Sequence, residues 1–292
     1  MSHLKLSSPA REVARAAFAG SLARLVRQDP LLRTRPNEDA VHDARVAVRR
    51  LRSDLRTFRP VLDERWSRGL SERLRWLQDG FAGARDADVL LDRIRRDADR
   101  LAGDDRRRAD RIVAALRTER ERAYERMRRM LHEPRYADLL RELIDLVRRP
   151  RCGPRANDPA REVIPGMLED AWSGLRKRVR RRARPPADAE LHRIRIAAKR
   201  ARYAAEAAIP VFGGCAHRLA REVEAIQSVL GEQHDAVVGS ARLRAWAIHG
   251  DAAFAAGQLT MLEELRAAAG RDAWREAWRG ARDAHRELKR AY

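Results

Sequence analysis

The sequence predicts an all-α protein made of two similar antiparallel helical bundles. Three observations lead there. Apolar residues recur at three-and-four spacing between well-marked breaks, no stretch alternates Val, Ile, Thr and aromatics as a sheet would, and the second half of the chain repeats the first. The 292 residues suffice for one large helical domain or two smaller ones. Hydrophobic residues make up 44% of the chain, enough for a sizeable core although 36% of the residues are charged. Much of that apolar content is Ala, which packs helices closely.

The breaks set the elements. They fall at Asp29-Pro30 through Arg35-Pro36, Gly80 to Gly83, Gly103-Asp104, Arg184-Pro185-Pro186, Gly213-Gly214 and Gly250. The most punctuated stretch, 148–159, holds three prolines and a glycine near the midpoint. It reads as a linker over 150–159 inside a single domain 1–292, with a first bundle over 1–149 and a second over 160–292. Between breaks, Leu140, Leu143, Ile144 and Val147 form one apolar stripe, and Leu219, Val223, Ile226 and Leu230 another.

The repeat is visible in register. Shifted by 150 residues, Leu22 and Leu25 fall on Trp172 and Leu175, and Val41-His-Asp-Ala-Arg-Val-Ala-Val-Arg-Arg50 falls on Leu191-His-Arg-Ile-Arg-Ile-Ala-Ala-Lys-Arg200. At a shift of 149, Leu77-Gln78 falls on Ile226-Gln227, and Arg85-Asp-Ala87 on His234-Asp-Ala236. Two matching blocks in register indicate an internal duplication. Asp86 and Asp235 are expected to cap a helix starting at Arg85-Asp86 and at His234-Asp235.

The first copy of the larger block has the start signals of a helix near Asn37: a preceding Pro36, a cap residue, and Glu38 and Asp39 in the first turn. Val41, Ala44, Val48, Leu51, Leu55 and Phe58 then form an apolar stripe. One residue on, His42, Arg45, Arg49, Arg52, Arg56 and Arg59 form a basic stripe beside it, ~21 Å long from His42 to Arg56 at ~1.5 Å per residue. The second copy places Leu191, Ile194, Ala198, Ala201, Ala205 and Ala208 toward the core with His192, Arg195, Lys199 and Arg202 alongside, and Arg50 and Arg200 flank the two stripes. Like charges in a row repel, and Asp54 is the one acid between Arg45 and Arg59. Either these side chains snorkel over the core as a solvated face, or an anionic ligand neutralises them. The second reading is the more economical. His42 and His192, near helix N-termini, suit either ligand contact or packing.

Charge narrows the partner. With 63 basic against 43 acidic side chains the formal net charge is +20, which favours polyanions. All but four of the basic residues are Arg, which forks onto phosphate oxygens. Arg176-Lys-Arg-Val-Arg-Arg-Arg-Ala-Arg184 carries seven positive charges without an acid. It either extends a binding surface or ends a solvated helix. Cys152 and Cys215 are far apart and read as reduced intracellular thiols. With no apolar leader and no membrane-length run, the expectation is a soluble cytoplasmic protein.

The blocks His42-Asp-Ala-Arg-Val-Ala-Val-Arg-Arg-Leu-Arg52, His192-Arg-Ile-Arg-Ile-Ala-Ala-Lys-Arg-Ala-Arg-Tyr203, Arg85-Asp-Ala-Asp88 and Leu230-Gly-Glu-Gln-His-Asp235 resemble the CHAD domain, the conserved histidine α-helical domain. The resemblance spans nearly the whole chain. It implies two helical bundles related by a pseudo-twofold axis around a basic groove, non-enzymatic binding of inorganic polyphosphate, and association with polyphosphate granules. On that pattern the expected polyanion contacts are His42, Arg45, Arg49, Arg50, Arg52 and Arg56 in the first copy, with His192, Arg195, Lys199, Arg200 and Arg202 in the second. Ala201 departs from the first copy's Leu51, which touches packing more than binding. The Glu-x-Glu-x-Lys strand of the triphosphate tunnel domain often fused to this family does not occur, so no phosphohydrolase activity is expected.

The alternative is nonspecific DNA or RNA binding, since arginine–phosphate contacts would serve nucleic acid too. Against it, aromatics do not interleave the stripes, and neither zinc-finger spacing nor a clear helix-turn-helix signature appears. Enzyme signatures such as a Gly-rich phosphate loop or G-x-S-x-G are missing, so no cofactor and no catalytic residue is expected. Metal binding is not expected either, because neither His42 nor His192 has a His or carboxylate four residues on. A site using both histidines would need the twofold axis to bring them together.

Overall fold

The structure is a computed structural model and describes residues 4–183, 185–247 and 250–291. Among the described residues it contains eight α-helices and no strands beyond isolated bridges. In chain order they are α1 (Ala10–Thr34), α2 (Glu38–Thr57), a single 3-10 turn (Arg59–Val61), α3 (Glu64–Ala98), α4 (Gly103–Leu131), α5 (Pro134–Arg148), α6 (Ala160–Arg181), α7 (Asp188–Ala247) and α8 (Ala253–Lys289).

Helix starts follow the sequence repeat: Ala10 and Ala160, Glu38 and Asp188, Gly103 and Ala253 are each 150 residues apart. The entries to α1 and α6 also lie side by side. Ala10 N–H donates to the Asp158 carbonyl (2.9 Å) and Ala160 N–H to the Ser8 carbonyl (2.8 Å), while Arg11 and Arg161 donate to Ala156 and Leu6 (both 3.0 Å). Each bond has its counterpart with donor and acceptor exchanged between the halves, as a local twofold axis produces. The segment 149–159 is therefore tied into the fold. Besides the bridge of Pro159 to Pro9, it pairs Cys152 with Leu62.

α7 is not a straight rod. Gly213 (φ 54°, ψ −129°) adopts a conformation open essentially to glycine alone. His192 and His234, each 21 residues from Gly213, meet ring to ring, so the chain reverses there and residues 188–212 lie alongside 214–247. α2 and α3 are related in the same way through the turn at 58–63.

Several sequence expectations need correction. Arg85-Asp86 and His234-Asp235 do not begin helices. α3 starts at Glu64, where Asp63 caps it by accepting from Trp66 N–H (2.7 Å), and both pairs lie well inside their helices. Gly80 is no break: a Cβ there would sit 1.9 Å from the Met130 sulfur, so the glycine admits α4 against α3. Pro30 lies inside α1, whose last turn is held by Asp29, bonded to Arg33 (3.0 Å) and to the Tyr136 hydroxyl (2.7 Å). In α5 the buried face is Tyr136, Leu139, Leu143 and Leu146, so the stripe is rotated from the expected one and leaves Ile144 exposed.

The main core runs through both halves, from Phe18, Leu25 and Leu51 to Leu175, Ile226 and Trp274. A smaller core joins the far ends of α3 and α4 (Ile94, Ile112) to those of α7 and α8 (Leu243, Leu259). Between them lies a buried polar layer, in which Arg93 bonds the fully buried Glu263 (2.7 Å) and Arg266 forks onto Asp97 (2.5 Å). Charges so deeply placed persist because each is paired.

Candidate anion-binding site

Two helices carry the site, and each is positioned by its apolar stripe. α2 begins at the expected cap, with Asn37 Oδ1 accepting from Ala40 N–H (2.8 Å). Val41, Ala44, Val48, Leu51, Leu55 and Phe58 are all buried. In the first arm of α7, Leu191, Ile194, Ala198, Ala201, Ala205 and Ala208 are likewise buried. With these stripes fixed in one core, the basic stripes beside them face one another across the two halves. Arg49 Nε donates to the Tyr203 hydroxyl over 2.6 Å, and its guanidinium lies 5.9 Å from the Tyr203 ring centre.

The expected arginines and Lys199 divide into four groups. Arg45, Arg49, Arg195 and Lys199 converge into one half-buried cationic cluster. Their mutual influence is strong: burial first, then Arg195, Arg49 and Arg45, push Lys199 down to about 7. Burial and neighbouring guanidinium groups also lower Arg45 and Arg195 from the usual arginine range, opposed by Asp86 for Arg45 and by Asp235 for Arg195. Those two carboxylates do not neutralise the cluster. Arg45 reaches Asp86 at 3.4 Å, whereas Arg195 and Lys199 form no ion pair among the described residues, and the buried Arg195 Nε has no hydrogen-bond partner. Desolvated, unpaired cations cost free energy unless an anion meets them.

Arg50 and Arg202 form a second group whose charges carboxylates already pair, although the buried Arg50 Nε has no hydrogen-bond partner. Both bond Glu206, and Arg202 also reaches Glu224 (2.8 Å). Third, Arg52 donates to Gln78 Oε1 (2.8 Å). In the other half Arg202 is engaged with acids instead, and the buried Oε1 of Gln227, the counterpart of Gln78, has no partner. Fourth, Arg56 and Arg200 face a separate cleft against α6.

The histidines differ between halves. His192 Nδ1 lies 3.2 Å from His234 Nδ1, so at most one of the two can carry the shared proton. Burial, Arg195 and His192 push His234 down to about 4, and burial with Arg195 and Lys199 lowers His192. His42 is lowered by burial and by Arg85, which occupies the counterpart position of His234. All three are thus held neutral near pH 7. No group of three or more potential metal ligands forms among the described residues.

Sequence reasoning missed His234, Asp86 and Asp235 as members of this site, treating them as helix starts. The usable signal was the in-register repeat of Arg85-Asp-Ala87 and His234-Asp-Ala236, as strong per residue as the repeat of the stripes. Tyr203 was present in the signature, but its bridge to Arg49 needs the tertiary structure.

Comparison with known proteins places the fold. Relative to the crystal structure of the CHAD domain from the plant Ricinus communis, the TM-score is 0.78 with 24% identity, over 96% of this chain and 93% of that one. For PptA from Streptomyces chartreusis it is 0.74 with 21% identity, over 93% of this chain and 100% of that one. At those identities the likeness is one of fold. The uncharacterized protein Rv2226 of Mycobacterium tuberculosis is 31% identical over 215 residues, 70% of this chain, and the chain spans only 40% of that relative's length. Residues 16–244 match the CHAD domain, which covers both basic helices and the paired blocks beside them; the chain belongs to the CHAD domain family.

Proposed function

We infer that this protein binds inorganic polyphosphate, without catalysis, through the cluster formed by Arg45, Arg49, Arg195 and Lys199. The observation that carries this reading is the convergence of four half-buried cations from two repeats, three of which, Arg49, Arg195 and Lys199, form no ion pair among the described residues. A multiply charged anion would relieve that repulsion and supply acceptors for the orphaned Arg195 Nε. Family membership extends "polyanion" to polyphosphate. The same resemblance supports association with polyphosphate granules, and we read the protein as acting there without metal or cofactor. His42, His192 and His234, neutral at pH 7, would serve as hydrogen-bond donors to phosphate oxygens. Arg50, Arg52 and Arg202 would brace the site through Glu206 and Gln78 more than contact the ligand.

The test is competition among long-chain polyphosphate, duplex DNA and single-stranded RNA at physiological salt. Polyphosphate should win; equal affinity for all three would overturn the polyphosphate reading in favour of nonspecific nucleic-acid binding. Replacing Arg45, Arg49, Arg195 and Lys199 together with Ala should weaken polyphosphate binding by about ten-thousandfold, at ~1.5 kcal/mol for each of four charge-assisted contacts. Unchanged affinity in the folded variant would refute the site.

A further inference from the structure

The two halves are not equivalent where their basic helices meet α1 and α6, and the difference opens a second site. On one side the junction is sealed. Tyr203 is buried there with the guanidinium groups of Arg50 and Arg202 5.7 and 5.8 Å from its ring centre, and Glu206 bonds both arginines. The counterpart residues, 150 positions earlier, remove each of these features. Ser53 stands where the sealed side has Tyr203, and Arg56 where it has Glu206. Gly174 on α6 stands where α1 has Arg24, and a Cβ built there would meet nothing within 4 Å.

What results is a cleft of about 500 Å³ between the end of α2, α6 and the first arm of α7. Six cations surround it: Arg56, Arg59, Lys177, Arg178, Arg181 and Arg200. Arg59 pairs with Glu64, but the other five form no ion pair among the described residues, in a protein where most acidic side chains are taken up by arginine. Burial, Arg56 and Arg178 act together to lower Arg200. The floor is apolar, from Met167, Ala171 and Ala197, and Asp170 and Ser53 stand at the edge as hydrogen-bonding groups. A polyanion needs only the charges. A cleft with a cationic rim, an apolar floor and a lone carboxylate suits a small phosphorylated molecule with an apolar, hydroxylated body.

We propose that this cleft is a second binding site, distinct from the Arg45–Lys199 cluster, for a small phosphorylated ligand of the nucleoside phosphate type. Its phosphates lie against Arg56, Arg178 and Arg200. Its apolar ring packs on Met167, Ala171 and Ala197, and Asp170 accepts from a hydroxyl or amino group. This goes beyond polyphosphate binding and does not depend on it.

The probe is ADP, measured by calorimetry at physiological salt, with tripolyphosphate as an anion lacking an apolar body. ADP should bind the wild-type chain, and should bind equally well when Arg45, Arg49, Arg195 and Lys199 are all Ala. Ser53→Tyr, which copies the sealed side, and the exposed Arg178→Glu should each weaken ADP by about tenfold or more. Ser53→Tyr should change the affinity for long-chain polyphosphate by less than about twofold, which also shows that the variant is folded. No ADP binding by the wild-type chain, or unchanged binding in both Ser53→Tyr and Arg178→Glu, would overturn the site. Tripolyphosphate binding the cleft as tightly as ADP would overturn the apolar half of the assignment. Loss of polyphosphate binding in the quadruple variant with ADP retained supports both sites; failure of one leaves the other standing.

Discussion

At the scale of single residues, the two most informative side chains are Lys199 and Asp54, each titrating near neutrality for a different reason. Lys199 is held at about 7 by burial among arginines. Below pH 7 it is already charged in the free protein; above, it must take up a proton to meet an anion. Affinity for polyphosphate should therefore fall as pH rises from about 7, by up to about tenfold for one lost charge contact, and strengthen in acid, below the ordinary histidine range, as the lowered histidines protonate. Lys199→Arg keeps the charge at every pH and should flatten the alkaline limb; a wild-type profile flat from pH 7 to 9 would contradict the placement of Lys199. Asp54 is fully buried in α2, and desolvation raises its carboxyl to about 7 despite Arg50 nearby. Its folded value exceeds its unfolded one, so the unfolded chain gives up this proton first and stability falls as pH rises through the window from about 4 to 7. Asp54→Asn cannot ionise and should gain on the order of 1 kcal/mol over wild type at pH 8, in urea melts, while differing little at pH 4.

At the scale of elements, the sequence made the helices legible wherever an amphipathic stripe met a clear cap, as in α2, whose start, cap and buried face all match. It misled where a local signal served a tertiary purpose. Gly80 looks like a break because glycine usually is one, yet here it makes room for Met130. Asp86 and Asp235 look like caps because Asp usually caps, yet they sit mid-helix facing arginines that only the folded chain brings near. The four-cation cluster was half legible. Each stripe could be read from its own helix, but which members converge and which pair with Glu206 depends on how the halves face each other. Gly213 is the converse case, a predicted break that the structure turns into a reversal inside α7. Its φ of 54° with ψ of −129° lies outside what a Cβ tolerates, so Gly213→Ala should cost about 1–3 kcal/mol. Gly214→Ala, in helical conformation with open space around it, should be neutral or stabilising by up to about 1 kcal/mol. Opposite signs from adjacent glycines, read by chemical denaturation, would locate the reversal at one residue.

At the scale of the whole molecule, a net charge of +20 and a cationic cluster at the junction of the halves mean that the free protein works against itself. The apolar core that spans both halves holds Arg45 and Arg49 against Arg195 and Lys199 regardless, and long-range repulsion adds to the local cost. Salt screens the exposed part of this repulsion, so the melting temperature of the free protein should rise between 20 and 300 mM salt, with the Debye length shrinking from roughly 20 to 6 Å. Polyphosphate should stabilise more than salt does, because it occupies the cluster itself. At a concentration of about a hundred times Kd, one site contributes about 2.7 kcal/mol, or a shift of roughly 5 °C for a chain of this size. That ligand-induced shift should shrink as salt rises, since phosphate binding releases counterions and weakens in salt. The quadruple Ala variant at Arg45, Arg49, Arg195 and Lys199 should show the opposite balance: a free protein that melts higher than wild type at low salt, and no shift on adding polyphosphate. If the variant melts lower than wild type instead, the four cations are contributing packing that outweighs their repulsion, and the cluster is part of the scaffold before it is a binding site.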